Sequence, residues 1–154
     1  MNYQKSTQTS WDADQKLIIT HISGDIEKSD VEKWERSFQA ALENIPDNEL
    51  FKILVNMHGF KAVDLDAHKR FRGIVPVTLA AYGWKVGYID LFDEEAKTMK
   101  YIHTRGIQCV GAAHVHQDET KMSLYQARFS RDNEHFFTDS DKAKEWIETL
   151  IIKS

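Results

Sequence analysis

Apolar side chains recur at helical spacing in the segment that follows residue 28. The stripe consists of residues three or four positions apart: Val31, Trp34, Phe38, Leu42 and Ile45. This spacing places the side chains on one face of a helix, which is expected to pack against a sheet. Ser29 and Glu32 have the spacing of a capping box, so the helix is expected to begin at Ser29. Pro46-Asp47-Asn48 is expected to end it.

Two further helices are predicted near the end of the chain. One extends from Thr120 to Phe129. The other is expected to be capped by Ser140 or Asp141, which favour the N-terminus of a helix. Its apolar face is formed by residues at helical spacing: Ala143, Trp146, Ile147 and Leu150.

Short apolar runs bounded by turn residues predict the inner strands of a sheet. Leu50 to Met57 and Ile107 to Val115 are typical of strands that are covered on both faces. Lys85 to Phe92 is predicted as a strand between them. His135 to Thr138 is predicted as a short edge strand.

The start of the chain has the pattern of a hairpin. Tyr3 to Trp11 alternates weakly, and Asp12-Ala13-Asp14 forms a turn before Lys16 to Ile22. Two antiparallel strands are therefore expected, ending at Gly24-Asp25.

The middle of the chain is expected to contain two more helical segments. A helix begins at about Asp64 and kinks or ends before Pro76, because proline removes a donor and clashes with the preceding turn. Val77 to Tyr82 is predicted as a second short turn. Asp93 to Thr104 is predicted to be helical, with Arg105-Gly106 as its end.

The alternation of strands and helices predicts an α/β fold. Helical connections favour parallel pairing and right-handed crossovers. We therefore expect a mixed, mainly parallel sheet with helices packed against it and one antiparallel edge. A chain of 154 residues is expected to form one domain over residues 1–154.

Charge and hydropathy narrow the range of partners. The 20 basic and 24 acidic residues give a formal charge of −4, which provides no overall attraction to nucleic acid. No run approaches the roughly 18 apolar residues of a membrane span, and the first residues lack the apolar run of a secretory signal. We expect a cytoplasmic protein without integral membrane association.

Motifs for several common chemistries do not occur in the sequence. There is no G-x-S-x-G elbow, P-loop, dinucleotide fingerprint or C-x-x-C pair, and no cofactor is expected. Cys109 lies in the apolar run from Ile107 to Ala113. It is expected to be a buried and unreactive thiol, because apolar surroundings raise the pKa of a thiol.

Four sequence features together resemble the SpoIIAA-like family. They are the strand pair that ends in Gly24, the helix that bears Trp34, the segment from Phe51 to Phe60 with His58-Gly59, and the closing Lys142-Ala143-Lys144-Glu145-Trp146-Ile147. This family has the STAS fold of anti-sigma-factor antagonists and is related in shape to the lipid-carrying SEC14 domain. The resemblance implies a sheet of four to five strands with helices on one side, and a role in protein binding or small-molecule sensing.

The resemblance also bears on regulation by phosphorylation. In the regulatory antagonists, a partner kinase phosphorylates a Ser at the turn that enters the second helix. The corresponding stretch here, Gly59 to Asp66, contains no Ser or Thr. Asp64 and Asp66 already place negative charge near the helix N-terminus, where a phosphate would lie. A module without this phospho-switch is expected.

The leading candidate site follows the strand Leu50 to Met57, because open α/β sheets bind ligands at the carboxyl ends of their strands. The segment from Met57 to His68 is expected to contact a protein partner or a small apolar ligand. The residues expected to contribute are His58, Gly59, Asp64, Asp66 and His68. The alternative is that Asp64 or Asp66 only caps the helix and the histidines lie on a loop.

A basic run lies beside this candidate site. Lys69, Arg70 and Arg72 follow Lys61 in the sequence. Such a run is suited to an acidic partner, a lipid headgroup or a nucleotide, and it also occurs as a solvated helix face.

A second candidate site is His114-Val115-His116-Gln117-Asp118. Alternate strand residues share a face, so His114 and His116 with Asp118 are suited to hold a metal ion. Glu119 stands where metallo-hydrolases of similar pattern have a further His. His103 and Cys109 are the nearest additional ligands, and Cys109 is expected on the opposite face. The alternative is a histidine pair at the exposed end of a strand.

The sequence thus leaves several functions open. The leading hypothesis is a non-enzymatic STAS-like module that binds a protein partner or an apolar ligand. The alternatives are a small metal-dependent hydrolase that uses His114, His116 and Asp118, and a SEC14-like lipid carrier. Association into a homodimer is also open. An apolar cavity under the segment from Phe71 to Tyr82 would discriminate between these hypotheses most directly.

Overall fold

The computed structural model describes residues 4–152, over which strands and helices alternate. Its strands are β1 (Ser6–Asp12), β2 (Leu17–Ile26), β3 (Leu50–Met57), β4 (Phe60–Ala62), β5 (Gln108–His116) and β6 (Glu134–Phe137). Its α-helices are α1 (Lys28–Glu43), α2 (Leu65–Arg72), α3 (Ile74–Ala80), α4 (Asp93–Thr98), α5 (Glu119–Phe129) and α6 (Ser140–Thr149). Two short 3-10 turns cover Ile89–Leu91 and Thr104–Gly106.

The strands form one mixed sheet in the order β1-β2-β3-β5-β6. β1 pairs antiparallel with β2, and the pairs β2–β3, β3–β5 and β5–β6 are parallel. The short β4 also pairs in parallel with β2, beyond the end of β3. This confirms the predicted mainly parallel sheet with an antiparallel edge, and β4 adds a strand that the hydrophobic pattern did not predict.

The hairpin and helix α1 form as the pattern predicts, although Tyr3 lies outside the described residues. The side chains of Val31, Trp34, Phe38, Leu42 and Ile45 are all fully buried. The expected cap was wrong, however, because the helix begins at Lys28 and its cap is Glu27, two residues before Ser29. Asp30 accepts a hydrogen bond from the backbone N–H of Glu27, the residue before the helix.

Helices cover both faces of the sheet. α1 packs over a large apolar cluster that includes Ile18, Ile53 and Ala112. On the opposite face, Ala143 and Ile147 of α6 pack against Leu54 and the neighbouring strands. The helices on one side that the family resemblance implied are therefore not observed.

Lys52 explains how α6 is held on its face of the sheet. This buried side chain lies on the central strand β3 and donates from Nζ to the carbonyl oxygens of Ile147, Glu148 and Leu150 at 2.6, 3.3 and 3.0 Å. The last carbonyls of a helix have no partners within the helix and carry partial negative charge. The ammonium group therefore both caps α6 and finds the hydrogen bonds that its own burial requires.

A β-bulge changes which side chains share a face of β5. Phe51 pairs with Cys109 and Lys52 pairs with Gly111, so Val110 is an extra residue. Cys109 consequently joins Ala112 in the cluster under α1. The expectation that Cys109 lies on the face opposite to His114 was wrong, because strict alternation does not continue through a bulge. The predicted burial of its thiol is confirmed.

The predicted strand from Lys85 to Phe92 does not form. Both sides of β5 are already occupied, by β3 and β6. The segment instead packs its apolar side chains, Val86, Ile89 and Phe92, into the core. Side chains satisfy part of its backbone, since Arg131 donates to the carbonyl of Lys85 and Gly87 N–H donates to Glu134.

The helices in the middle of the chain are shorter than predicted. α2 ends before Gly73, and Pro76 is the third residue of α3, where its missing N–H costs no helical hydrogen bond. The predicted helix from Asp93 to Thr104 ends at Thr98. Beyond it, the N–H groups of Ile102 and Thr104 donate to the carbonyls of Ala80 and Ala81 at the end of α3.

The remaining boundaries agree closely with the sequence pattern. β3 has the predicted bounds, β5 and β6 are each shifted by one residue, and α5 begins one residue earlier than predicted. α6 is capped by Asp139, whose carboxylate accepts from the N–H groups of Asp141 and Lys142, and not by Ser140 or Asp141. None of the helices between residues 4 and 152 has the length and apolar character needed to cross a membrane.

Two glycines provide a test of the backbone conformation at Gly24, where β2 passes close to the residue before β1. Gly24 has φ +89°, and a Cβ there would lie 2.8 Å from the Cα of Lys5, so Gly24→Ala is expected to lower the free energy of unfolding by more than about 1 kcal/mol. Gly73 has a negative φ that other residues commonly adopt. The nearest atom to a Cβ placed at this position would be 3.8 Å away. Gly73→Ala is expected to raise stability by about 0.4–1 kcal/mol. Urea denaturation of both variants and of the wild type measures the free energy of unfolding. Equal effects of the two substitutions would contradict the positive φ at Gly24.

Candidate functional site

A cavity of about 480 Å³ lies at the carboxyl ends of β3 and β5. β4, α2 and α3 supply one side of its wall, and α5 and β6 supply the other. The parallel pairing of β3 with β5 brings both strand ends to one edge of the sheet, where α/β proteins commonly bind ligands. The volume is within the range of small-molecule sites.

The body of the cavity is apolar. Phe71, Val75 and Pro76 are buried and form the part of the wall under α2 and α3. This is the location at which the sequence analysis placed a discriminating cavity. The other apolar wall residues are Val55, Met57, Phe60, Ala62, Leu91, Phe92, Val115, Met122 and Phe136.

One wall of the cavity contains a buried carboxylate–imidazole pair. His114 Nε2 lies 2.8 Å from Glu134 Oε2, and Glu134 is fully buried. Because a carboxylate only accepts hydrogen bonds, Nε2 carries the proton and Nδ1 is the ring nitrogen that remains for a ligand. Phe136 stacks on the imidazole with centroids 4.8 Å apart, and Tyr88 contacts it edge-on at 5.5 Å. The ring is therefore fixed in position.

Glu134 is stabilised as an anion by its other partners. Arg131 Nε and Nη2 and the N–H of Gly87 donate to Oε1. Burial by itself favours the neutral acid, but the hydrogen bonds and charges of His114 and Arg131 outweigh it and lower the pKa of Glu134. Gly87 is required in this network, since a Cβ at that position would lie 2.3 Å from the carbonyl oxygen of Phe129.

His116 contributes a neutral N–H donor to the same cavity. Burial and the nearby Lys121 charge lower the pKa of His116 to about 4, so the ring is neutral at pH 7. Its Nδ1 accepts the backbone N–H of Asp118 at 3.0 Å. In a neutral imidazole the other nitrogen then carries the proton, which fixes Nε2 as a donor.

The charged part of the lining is predominantly cationic. Lys61 of β4, Arg72 of α2 and Lys121 of α5 belong to three different elements and all line the cavity. Asp64 is the acidic residue of the lining, and its Oδ1 accepts from the N–H of Ala67 as the cap of α2. The positive charge therefore contrasts with the formal charge of −4 of the whole chain.

The residues predicted from the first candidate group divide between the cavity and its surroundings. Asp64 and His68 line the cavity, whereas His58, Gly59 and Asp66 do not belong to its wall. Gly59 has a structural role: its N–H donates to Gln117 Oε1 at 2.8 Å and its carbonyl accepts from Gly24. His58 lies near His116, because its charge contributes to the lowered pKa of that ring.

The second candidate group does not converge on a metal ion. His114 and His116 share the cavity face as predicted, but His114 is bonded to Glu134 and Asp118 caps α5 by accepting from the N–H of Lys121. His103 lies before the start of β5, at the other end of that strand. Within residues 4–152, no three His, Cys, Asp or Glu residues are grouped so that they could hold a metal ion.

Several cavity residues had no signal in the sequence. Glu134 directly precedes a predicted edge strand and no sequence feature marked it, yet it is fully buried. Tyr88 lies in the segment predicted as a strand, and Tyr125 lies on α5. Their rings are 5.7 Å apart, and burial raises the pKa of both phenols. Only the unpredicted path of residues 84–92 brings Tyr88 to this wall.

No protein-family model matches the chain, and neither curated proteins nor solved structures gave a match. The arguments for function consequently rest on the geometry of the cavity and on the residues of this chain.

The buried Glu134 network predicts a specific pH dependence of stability. Because folding lowers the pKa of Glu134, its contribution is present above the ordinary value of 4.5 and is lost as the pH falls through the folded pKa. Glu134→Gln is expected to cost about 3–5 kcal/mol at pH 7, since it breaks a buried ion pair. The difference from the wild type should shrink below pH 4.5.

Urea denaturation of both proteins from pH 7 to pH 3 measures this difference. Glu145→Gln, which changes an exposed residue of α6, is the matched control and should have little effect at any pH. A Glu134→Gln deficit that stays constant over the whole pH range would contradict the ionised state of Glu134.

Proposed function

We propose that the chain is a non-enzymatic binding module of the SpoIIAA-like, STAS-like kind that takes a small apolar ligand into the cavity at the ends of β3 and β5. The observation that carries this proposal is the cavity of about 480 Å³ with its apolar body. Burial of apolar ligand surface there would supply most of the binding free energy, at roughly 25 cal/mol per Å².

The arrangement of polar groups also supports binding. A ligand site typically combines an apolar lining with a few polar groups in fixed orientations. His114 is held by Glu134 and Phe136, and His116 is held by the backbone of Asp118. These rings need no reordering when a ligand arrives, which reduces the entropic cost of association.

Other residues favour a role other than covalent catalysis. Burial raises the pKa of the Cys109 thiol, so the thiolate that a nucleophile requires is not formed at neutral pH.

The stretch Gly59 to Asp66, which would carry the phosphorylated Ser in regulatory antagonists, contains no Ser or Thr and has Asp64 as the cap of α2. Ligand occupancy is then the proposed form of control. A SEC14-like carrier would use the same cavity and differs only in delivering its ligand elsewhere.

Filling the cavity is expected to abolish ligand binding while leaving the fold intact. Ala62 is half-buried in the wall on β4, so the indole of Ala62→Trp should occupy the ligand volume. Titration with Nile red, a neutral apolar dye, is expected to show affinity reduced at least about tenfold. Ala127→Trp, at an exposed position of α5 outside the lining, is the control.

Native mass spectrometry of the wild-type protein complements the titration, since a bound ligand would appear as added mass that Ala62→Trp lacks. If Ala62→Trp remains folded and binds the dye as tightly as the wild type, the cavity is not the binding site and the proposal is wrong.

A protein contact at the segment Met57 to His68 is the second candidate function. Val63 and Leu65 are apolar and are 47% and 63% exposed beside the cavity wall. Neighbouring apolar side chains that are exposed on a surface occur at protein contact sites. A second copy of the chain is the simplest partner, in line with the homodimer that the sequence left open.

Sedimentation equilibrium is the test of this contact. The wild type is expected to dimerise, and Leu65→Asp is expected to be monomeric. Leu65 is the first residue of α2, where an added carboxylate favours the helix, so the variant should fold. Leu124→Asp, at an exposed leucine on α5, should still dimerise. A wild type that is monomeric at all concentrations would contradict the contact.

A further inference from the structure

Three cations line the apolar cavity, and an apolar ligand alone would make no use of them. Among residues 4–152, none of the ion pairs involves Lys61, Arg72 or Lys121. Most other basic residues in the described part of the chain also lack an ion pair, so the distinctive feature of these three is that they line one apolar cavity. The unpaired cations come from three elements that meet only in the folded chain, so their proximity does not follow from a single basic helix face.

Arg72 is fixed in place at the wall of the cavity. Its Nη2 donates to the carbonyl of Leu91 at 2.7 Å, and its guanidinium carbon lies 4.6 Å from the centre of the Phe92 ring. These two contacts hold the planar group while its other N–H donors remain for an acceptor. The positive charge also acts on Tyr125 across the cavity, because it partly offsets the raised pKa of that phenol.

Lys121 and His116 provide donors on the opposite side. The Lys121 side chain is exposed, yet the atoms around it desolvate the ammonium group and lower its pKa. Lys121 Nζ lies 5.6 Å from the centre of the Tyr125 ring. The neutral His116 adds its Nε2–H beside this charge, since Nδ1 is occupied by the backbone of Asp118. An acceptor with negative charge is complementary to both groups.

Resting on the proposed function, we infer that the ligand is an amphipathic anion. Its apolar body fills the cavity, and its carboxylate or phosphate group lies among Lys61, Arg72, Lys121 and the N–H of His116. A neutral apolar molecule would gain nothing from these positive charges, and a cationic one would be repelled by them.

Four probes with the same ten-carbon chain separate the anion from the apolar body. They are decanoate, decyl phosphate, decan-1-ol and decyltrimethylammonium, each used as a competitor of bound Nile red at monomeric concentrations. Either anion is expected to bind at least about tenfold more tightly than the alcohol, and the cation more weakly than the alcohol. The preference for the anion should shrink as the salt concentration rises, because salt screens exposed charges.

Charge variants locate the contact. Lys121→Glu is expected to weaken decanoate binding about tenfold and to leave decan-1-ol binding unchanged. The exposed position of Lys121 makes the substitution compatible with folding. Arg72→Gln should also weaken decanoate binding and leave decan-1-ol binding unchanged. It removes a positive charge without adding a negative one, so its effect would report the loss of the cation alone. Lys144→Glu on α6, at the opposite face of the sheet, makes the same charge change and should affect neither ligand.

The outcomes distinguish this inference from the proposed function. Equal affinity for decan-1-ol and both anions would overturn the anion site and leave the apolar cavity as the binding site. Loss of decan-1-ol and decanoate binding together in Lys121→Glu would also overturn it, because the effect would then be structural. Failure of all four probes and of Nile red to bind would overturn both proposals.

Discussion

The carboxylate of Glu134 is fully buried, and a buried charge is stable only where donors surround it. Its donors come from His114 on β5, from Arg131 before β6 and from Gly87 in the segment that precedes α4. The requirement to satisfy one anion therefore joins two parallel strands to a segment with no regular pairing of its own. It also orients the His114 ring in the cavity wall. The stability of the fold and the geometry of the site thus depend on the same interaction.

A second constraint is the parallel pairing of β3 with β5. Parallel strands bring their carboxyl ends to one edge, so the residues after β3 and those at the end of β5 meet although 58 positions separate Gly59 from Gln117. Gln117 joins the two strand ends directly, since its side chain accepts from Gly59 N–H and donates to the carbonyl of Phe60. The two candidate groups of the sequence analysis are consequently parts of one cavity. Asp64 and His68 line one side, and His114 and His116 line the other.

The errors of the sequence-based predictions have separate physical causes. Lys85 to Phe92 has the composition of a strand, but a strand also needs a free sheet edge, and β5 offers none. Cys109 has the parity of the opposite face, but the bulge at Val110 reverses it. The caps at Glu27 and Asp139 each lie within two residues of the predicted position, because several acidic and hydroxyl residues near a helix start compete for the same N–H groups.

The sequence by itself determined the α/β alternation, the buried stripe of α1, the strands β3 and β5 and the final helix. These features follow from local periodicity, which depends only on whether a side chain is apolar and how far it lies from the next. The tertiary structure alone decided that Lys52 caps α6, that Glu134 is buried, and that Lys61, Arg72 and Lys121 line one apolar cavity. Charged residues have no periodic signal for burial or proximity, because their surroundings are supplied by elements distant in the chain.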